Sequence, residues 1–486
     1  MNGIKTVITA PVRFARYLNR PEPDGQISKW RKFLLAFPSL PGNLSSVLIH
    51  NAFLKYYTDI IGLEARYVGL VYLIFGIWNA INDPAIGVLI DRRKYDERKG
   101  KLLYLMRVTV PIALLSALAM VYAQPHWSQW AIFGFLLLML FFYDTAMTTY
   151  GIAYANYILV CAPSTRERVD VSMVSTYVAN VGGLLGTLIP TLLLVGNTNR
   201  QLTTVLLSAV IGVNALMYFL ALKPLKETRE MYERENEEID QKKGLLDDIT
   251  AGARQVMKSR AFVSYLLYQL IAKGPKSFYF TPFLYMMDHV LHLQGVQATV
   301  VDILPGVLML SLAPFIARAL KTFGIKKTIL AATVPAAFGF LLIFFVRGFF
   351  SAICAYAVMY LFTSALEMGH GPMLGAIIDD DEQRTGSRKA GMYTGLNALL
   401  TIPVSGIQAS IFMSVITAFG FVSGQAEQSV SALQGIRIGA GVIPFAFTLI
   451  GAVPLLFSPI DKAREQALSA FSVAARRSPQ QEGERV

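Results

Sequence analysis

The chain has 486 residues, of which 54% are hydrophobic and only 16% charged, against roughly 25% charged in an ordinary globular domain. Charge this sparse excludes a string of soluble domains and places the chain in a bilayer. Two cysteines, Cys161 and Cys354, exclude a disulfide framework, and the net charge of +12 has to be located before it says anything about partners.

Residues 1–33 are polar and basic, with Pro11, Pro21 and Pro23. They read as a cytoplasmic segment rather than a signal peptide, because they lack an apolar core followed by a cleavage site. Apolar runs long enough to cross a bilayer follow at 40–61, 66–90, 102–122, 130–160, 171–195 and 202–222, giving a six-span half over 34–222. A loop at 223–260, rich in both charges, leads to a second half over 261–458. Its spans are 261–287, 297–320, 327–347, 350–378, 390–418 and 436–458, and 459–486 is a cytoplasmic tail. With the N-terminus inside, 36 of the 44 Lys+Arg fall on inside segments. Arg66, Arg200, Arg347 and Arg437 fall outside, and Lys55, Arg107, Lys273 and Lys276 lie within spans or at their ends. This asymmetry orients the protein with both termini in the cytoplasm. The +12 is therefore an orientation signal, and no nucleic-acid partner is expected.

The halves echo each other. The fourth span leads to Ala162–Arg168 and the tenth to Asp379–Arg384, while the fifth carries STYVANVGGLLG and the eleventh GMYTGLNALLTIP. Twelve transmembrane helices in two pseudo-symmetric six-helix halves describe an all-α membrane protein of the major facilitator fold, with a site near the midplane.

Ionisable residues inside spans are functional candidates because their insertion is costly. On the second span, Asn79, Asn82 and Asp83 share one face at i, i+3 and i+4, with Asp83 ~12 Å in from Asp91 at 1.5 Å per residue. One carboxylate and two carboxamides suit a hard cation or a proton; the alternative is an aspartate paired with a lysine to hold helices together. Asp144 on the fourth span is a candidate charge partner. Lys273 and Lys276 flank Gly274-Pro275, which suggests a broken helix of the kind that lines transporter sites. Glu367 and His370 share a face of the tenth span. These four either line a cavity for an anionic or polyhydroxyl substrate or form structural pairs. Asp302, near a span end, is expected to face water. Among the aromatics, Trp78 abuts the polar face of the second span and is the favoured ring for stacking a sugar; Tyr150 is a further candidate. No clustered nucleophile and base, and no metal-ligand spacing, points to an enzyme.

The runs Tyr56–Leu63, Trp78–Pro84 with Gly87 and Asp91, Arg98–Lys101 and Arg166–Arg168 resemble the glycoside–pentoside–hexuronide:cation symporters, the melibiose-carrier family of the major facilitator superfamily. The resemblance is specific over about 40–170 and looser after 260. It implies a cation site at Asp83, Asn79, Asn82 and Thr148, and gating loops at Asp91, Arg92, Arg166 and Arg168. Family members carry two acids four apart on the second span. Here Asn79 replaces the first, which favours H⁺ over Na⁺, since a proton needs one base. The family's sugar-clamping positions fall at Asn43, Gly151 and, in a looser alignment, Thr401. Two carboxylates and a lysine are thus absent, and a melibiose-like galactoside is disfavoured. The resemblance implies a monomeric, cofactor-free, H⁺-coupled symporter of a sugar, glycoside, hexuronide or related organic solute, in the inner membrane if bacterial. A carrier of amphiphiles is the alternative, and a membrane sensor or enzyme a remote one.

Overall fold

The computed structural model describes residues 28–91, 93–161, 165–197, 199–229, 254, 256–272, 281–386, 390–401 and 403–468, and no strand occurs among them. α1 (Lys29–Ala36) turns at Phe37-Pro38 into α2 (Ser39–Lys55), which continues as a π-helical turn, Tyr56–Ile61. Then come α3 (Ala65–Asp91), α4 (Leu102–Val121), α5 (Gln129–Cys161), α6 (Thr165–Leu194) and α7 (Arg200–Leu222). The later part holds α8 (Arg260–Ala272), a second π turn (Met286–Val290), α9 (Gly295–Phe323), α10 (Ile325–Phe344), α11 (Phe349–Thr385) and α12 (Ala390–Thr401). It ends with α13 (Val404–Ala418), α14 (Val430–Arg437), a third π turn (Ile438–Val442) and α15 (Ile443–Leu456). Helices are what hydrocarbon permits, because each backbone polar group must be satisfied within its own segment. Nine stretches among the described residues are long and apolar enough to cross a membrane.

Three boundaries differ from the sequence expectation. The eleventh span is two helices, α12 and α13, because Pro403 has no N–H to continue the ladder and instead opens α13. The tenth span does not give way to a loop at 379. α11 runs on to Thr385, where Arg384 pairs with Asp380 one turn back at 2.8 Å and Gly386, at φ 70°, closes the helix. The twelfth span begins at Val430, where Ser429 Oγ accepts from the Ala432 N–H at 3.1 Å.

Two helix pairs are fastened at both ends, in matching ways. The Glu227 carboxylate accepts from the N–H groups of Lys101, Leu102 and Leu103 at 2.9–3.0 Å, closing the start of α4. The Glu465 carboxylate does the same for α10 through the Ile325 N–H at 3.0 and 3.2 Å. A carboxylate there satisfies orphan donors and meets the positive end of the helix dipole. In return, Arg107 of α4 donates to the Leu222 and Leu225 carbonyls past α7, and Lys326 of α10 to those of Leu456 and Ser458 past α15. At the opposite ends, Arg200 of α7 binds the Ala123 carbonyl and Gln124, and Arg437 of α14 binds the Phe344 and Val346 carbonyls.

The buried apolar residues show how the bundle is joined. At the end carrying Tyr56–Ile61 and Met286–Val290, hereafter the junction end, one cluster takes in Phe53, Tyr57 and Phe75 together with Tyr285, Phe340, Tyr356 and Phe412. Toward the other end the core divides. One cluster unites Leu35, Ile90, Met106, Tyr157 and Leu222; a separate one unites Phe262, Ile329, Met373, Tyr393 and Leu455. Within the shared region α3 crosses α13 closely. A Cβ on Gly406 would lie 2.3 Å from the Tyr72 carbonyl oxygen and 3.0 Å from Gly76 Cα, so only glycine permits this approach, the small-residue contact typical of helix packing in lipid. Past the crossing, Ile77, Ile81 and Leu89 of α3 are exposed.

Candidate functional site

α3 and α5 pack side by side and hold a polar network just past the α3–α13 crossing. Thr148 Oγ1 donates to Asp83 Oδ1 at 2.7 Å. One turn away, Asn82 Nδ2 donates to Asp144 Oδ2 at 3.2 Å and Asn82 Oδ1 accepts from Thr145 Oγ1 at 3.3 Å. Helical periodicity brings this about. Asn82 and Asp83 are neighbours on α3, while Thr145 and Thr148 lie at i, i+3 on the facing side of α5, with Asp144 beside them. Pro84 follows directly and has no N–H to donate to the Ala80 carbonyl. Two carboxylates, hydroxyls and a carboxamide within one patch are hard oxygen donors, the chemistry that takes a proton or a small hard cation. Asp144 is buried, and the partner seen for it is an amide from α3.

The remaining sequence candidates divide. Trp78 is half-buried beside the network and stacks on Phe141 with centroids 4.5 Å apart; its indole N–H has no hydrogen-bond partner among the described residues. Asn43 Nδ2 donates to the Ala179 carbonyl at 2.6 Å, tying α2 to α6. Tyr150 is buried, with its hydroxyl donating to the Pro38 carbonyl at 2.7 Å, and Thr401 donates to the Asn397 carbonyl at 2.8 Å. The Asn43 and Tyr150 bonds link helices, whereas the Thr401 bond stays within its own helix. Gly151 faces open space, with nothing within 4 Å of an added Cβ. Glu367 is exposed, and the His370 ring lies 5.6 Å from Tyr268 and 6.4 Å from Tyr265. Asp302, expected to face water, is buried at 7% exposure, because it sits in the packed interior near Tyr356. Asn79 lies on α3, half-buried. Lys273, Lys276 and Arg92 lie outside the described residues, as do the side chains of Asp91, Arg166 and Arg168.

Two features escaped the sequence reading. His50, in mid-α2, is exposed, with Nδ1 2.7 Å from the Ser46 carbonyl and its ring against Phe75. The second feature is a charged cluster at the junction end. Lys55, 1% exposed, pairs with Asp59 one turn on and with Asp288 at 2.6 Å. His289 Nε2 lies 2.9 Å from Asp59 Oδ2, Thr58 Oγ1 lies 2.7 Å from the Tyr285 hydroxyl, and the Gly196 N–H donates to Asp288 at 2.9 Å. Both aspartates sit on π turns, which re-aim side chains and recur at functional sites. The signal available in the sequence was the repeated Tyr-x-x-Asp, at Tyr56–Asp59 and Tyr285–Asp288.

Comparison with known proteins fits this picture. The profile of the family described as "MFS/sugar transport protein" matches residues 34–462. The symporter YnaJ of Bacillus subtilis is 25% identical over 437 residues, covering 87% of this chain and 90% of its own length. The isoprimeverose transporter of Lactiplantibacillus pentosus is 21% identical, covering 90% of each chain. A putative sulfoquinovose importer of Escherichia coli is 25% identical, covering 83% of this chain and 85% of its own. Among solved structures, the nucleoside transporter NupG superposes with a TM-score of 0.64 at 12% identity, covering 88% of this chain and 99% of that one. The likeness in fold holds at a sequence identity that says nothing about substrate.

Proposed function

The chain belongs to the MFS/sugar transport protein family, and from that premise we propose that it is a proton-coupled symporter of a sugar, glycoside, hexuronide or related polyhydroxyl solute. It is a multi-pass membrane transporter rather than an enzyme. On this reading twelve spans form two six-helix halves with both termini in the cytoplasm of a bacterial inner-membrane protein. The junction end faces outward, and a single shared core there with two separate cores at the other end is an inward-open state. Alternating access moves the halves about the α3–α13 crossing.

The observation that carries the reading is the Asp83–Thr148 and Asn82–Asp144 network. Asn79 stands where the family places an acid, and Asp144 brings a second carboxylate to the same patch from α5. The patch thus offers a proton two carboxylate acceptors held in place by hydroxyl and amide donors. The proton, arriving from outside, favours substrate binding and leaves inside with it; reciprocity requires each ligand to strengthen the other equally. Trp78, stacked and with a spare N–H, offers a sugar a ring face and a donor. The names of two relatives, an isoprimeverose transporter and a putative sulfoquinovose importer, support a sugar-sized polyol, neutral or sulfonated.

The test is substrate-induced proton uptake in liposomes, screened with xylose-containing disaccharides, hexuronides and sulfonated sugars. Asp83→Asn should abolish accumulation against a gradient while leaving downhill exchange. Uphill, proton-dependent accumulation by that variant would overturn the mechanism.

A further inference from the structure

We propose that the Lys55–Asp59–Asp288–His289 cluster is a second proton site, separate from Asp83, in which a proton on His289 latches the junction end shut. The inference rests on the transporter reading and on the junction end facing outward.

The cluster exists only when two parts of the chain meet. Lys55 and Asp59 belong to α2 and its π turn; Asp288 and His289 belong to the turn before α9, and the Asp59–His289 contact spans 230 residues of sequence. The charges do not balance with a neutral imidazole: one ammonium faces two carboxylates. A proton on His289 brings the sum to zero and turns the 2.9 Å contact with Asp59 into a charge-assisted bond. An uncompensated buried charge is costly, so the proton favours the closed junction. Separation returns both carboxylates to water and removes the reason to bind it. Asp59, Asp288 and His289 each present an atom within 4.8 Å of the others, and the Lys55 ammonium is paired with both aspartates.

No other described charge balances the cluster. Facing the imidazole are Asp59, Tyr285 with its ring 6.0 Å away, and Phe421, 5.4 Å away, from the segment after α13. Lys55 lies over the Tyr285 ring at 5.2 Å. α14 packs on the same turn, but its Arg437 is bound to the Phe344 and Val346 carbonyls. The segment before α7 contributes a neutral donor, the Gly196 N–H. Glu64 and Arg66 pair with each other at the surface.

Histidine is the side chain whose charge changes between about pH 5 and 8, so the latch holds at the acid end of that window and loosens as pH rises through it. The experiment places spin labels on either side of the junction, at Glu64→Cys and Val296→Cys, both exposed. The exposed Cys354 is changed to serine. Distances are read by double electron–electron resonance in nanodiscs from about pH 5 to 8. An Asp83→Asn, Asp144→Asn background removes the other proton site. The short-distance population should grow relative to the long one by about three- to tenfold per pH unit on acidification, the span allowed for one linked proton. His289→Gln, which keeps a hydrogen bond to Asp59, should flatten this dependence at the alkaline level, and Lys55→Met should favour the long distance at every pH. The same pH response in His289→Gln as in the parent would overturn the latch, whatever Lys55→Met does. Failure of substrate-driven proton uptake with an intact distance response would instead sink the symport reading and leave the latch standing.

Discussion

Asp59 and Asp288 meet an ammonium at the junction end, whereas Asp83 and Asp144, deeper in the bundle, meet hydroxyl and amide groups. A fixed ammonium makes a carboxylate's charge permanent and turns it into a fastener, since breaking a buried pair strands a charge. Neutral donors such as hydroxyls and amides orient a carboxylate without fixing its charge. The same residue type therefore closes a surface in one place and, on the proposed reading, carries the coupling ion in the other.

Mutations at the two sites should separate these roles. The largest stability effect is expected from Lys55→Met, which strands two carboxylates and should lower unfolding stability by about 3 kcal/mol. Adding Asp59→Asn and Asp288→Asn should recover most of it, in melting curves of the purified protein. No recovery in the triple variant would show that Lys55 acts by packing instead. Next, Thr148→Val removes a hydrogen bond to a charged acceptor, worth about 1.5–3 kcal/mol. It should lower stability by up to that amount and, on the proposed reading, also weaken proton-dependent substrate binding about tenfold or more. A fall in melting temperature without a shift in the pH dependence of binding would place Asp83 with the fasteners. The smallest effects belong to Glu227→Gln and Glu465→Gln, each costing about 0.5–1 kcal/mol through a weakened helix cap. The two should add, being far apart; strong non-additivity would show that their helix pairs are coupled.

Periodic features were legible in the sequence, and pairings across the chain were not. Asn79, Asn82 and Asp83 announce one helix face by spacing alone, and Thr148 follows from a family pattern. Their neighbour Asp144 was visible as an intramembrane charge, but its amide partner lies 62 residues away and no local rule selects it over a lysine. The junction cluster was hidden for the same reason, since Lys55 and Asp59 form an ordinary i, i+4 pair until Asp288 and His289 arrive. Asn43, Tyr150 and Thr401 each donate to a backbone carbonyl, partners that no local sequence rule selects. The break at Pro403 was readable in principle, since proline lacks the needed donor, but a long apolar run concealed it.

The clamps on α4 with α7, and on α10 with the run from α14 through its π turn to α15, have a mechanical consequence. A helix fastened to its neighbour at top and bottom is a strut, stiff against bending and against sliding of one member past the other. Glu227 and Arg107 fix one end of the first strut and Arg200 the other; Glu465 and Lys326, with Arg437, do this for the second. Little of a tilt imposed at the α3–α13 crossing is then absorbed as flexing along the way. If the halves move about that crossing as proposed, displacement grows in proportion to distance from it, the leverage a short-range chemical event needs to open a passage.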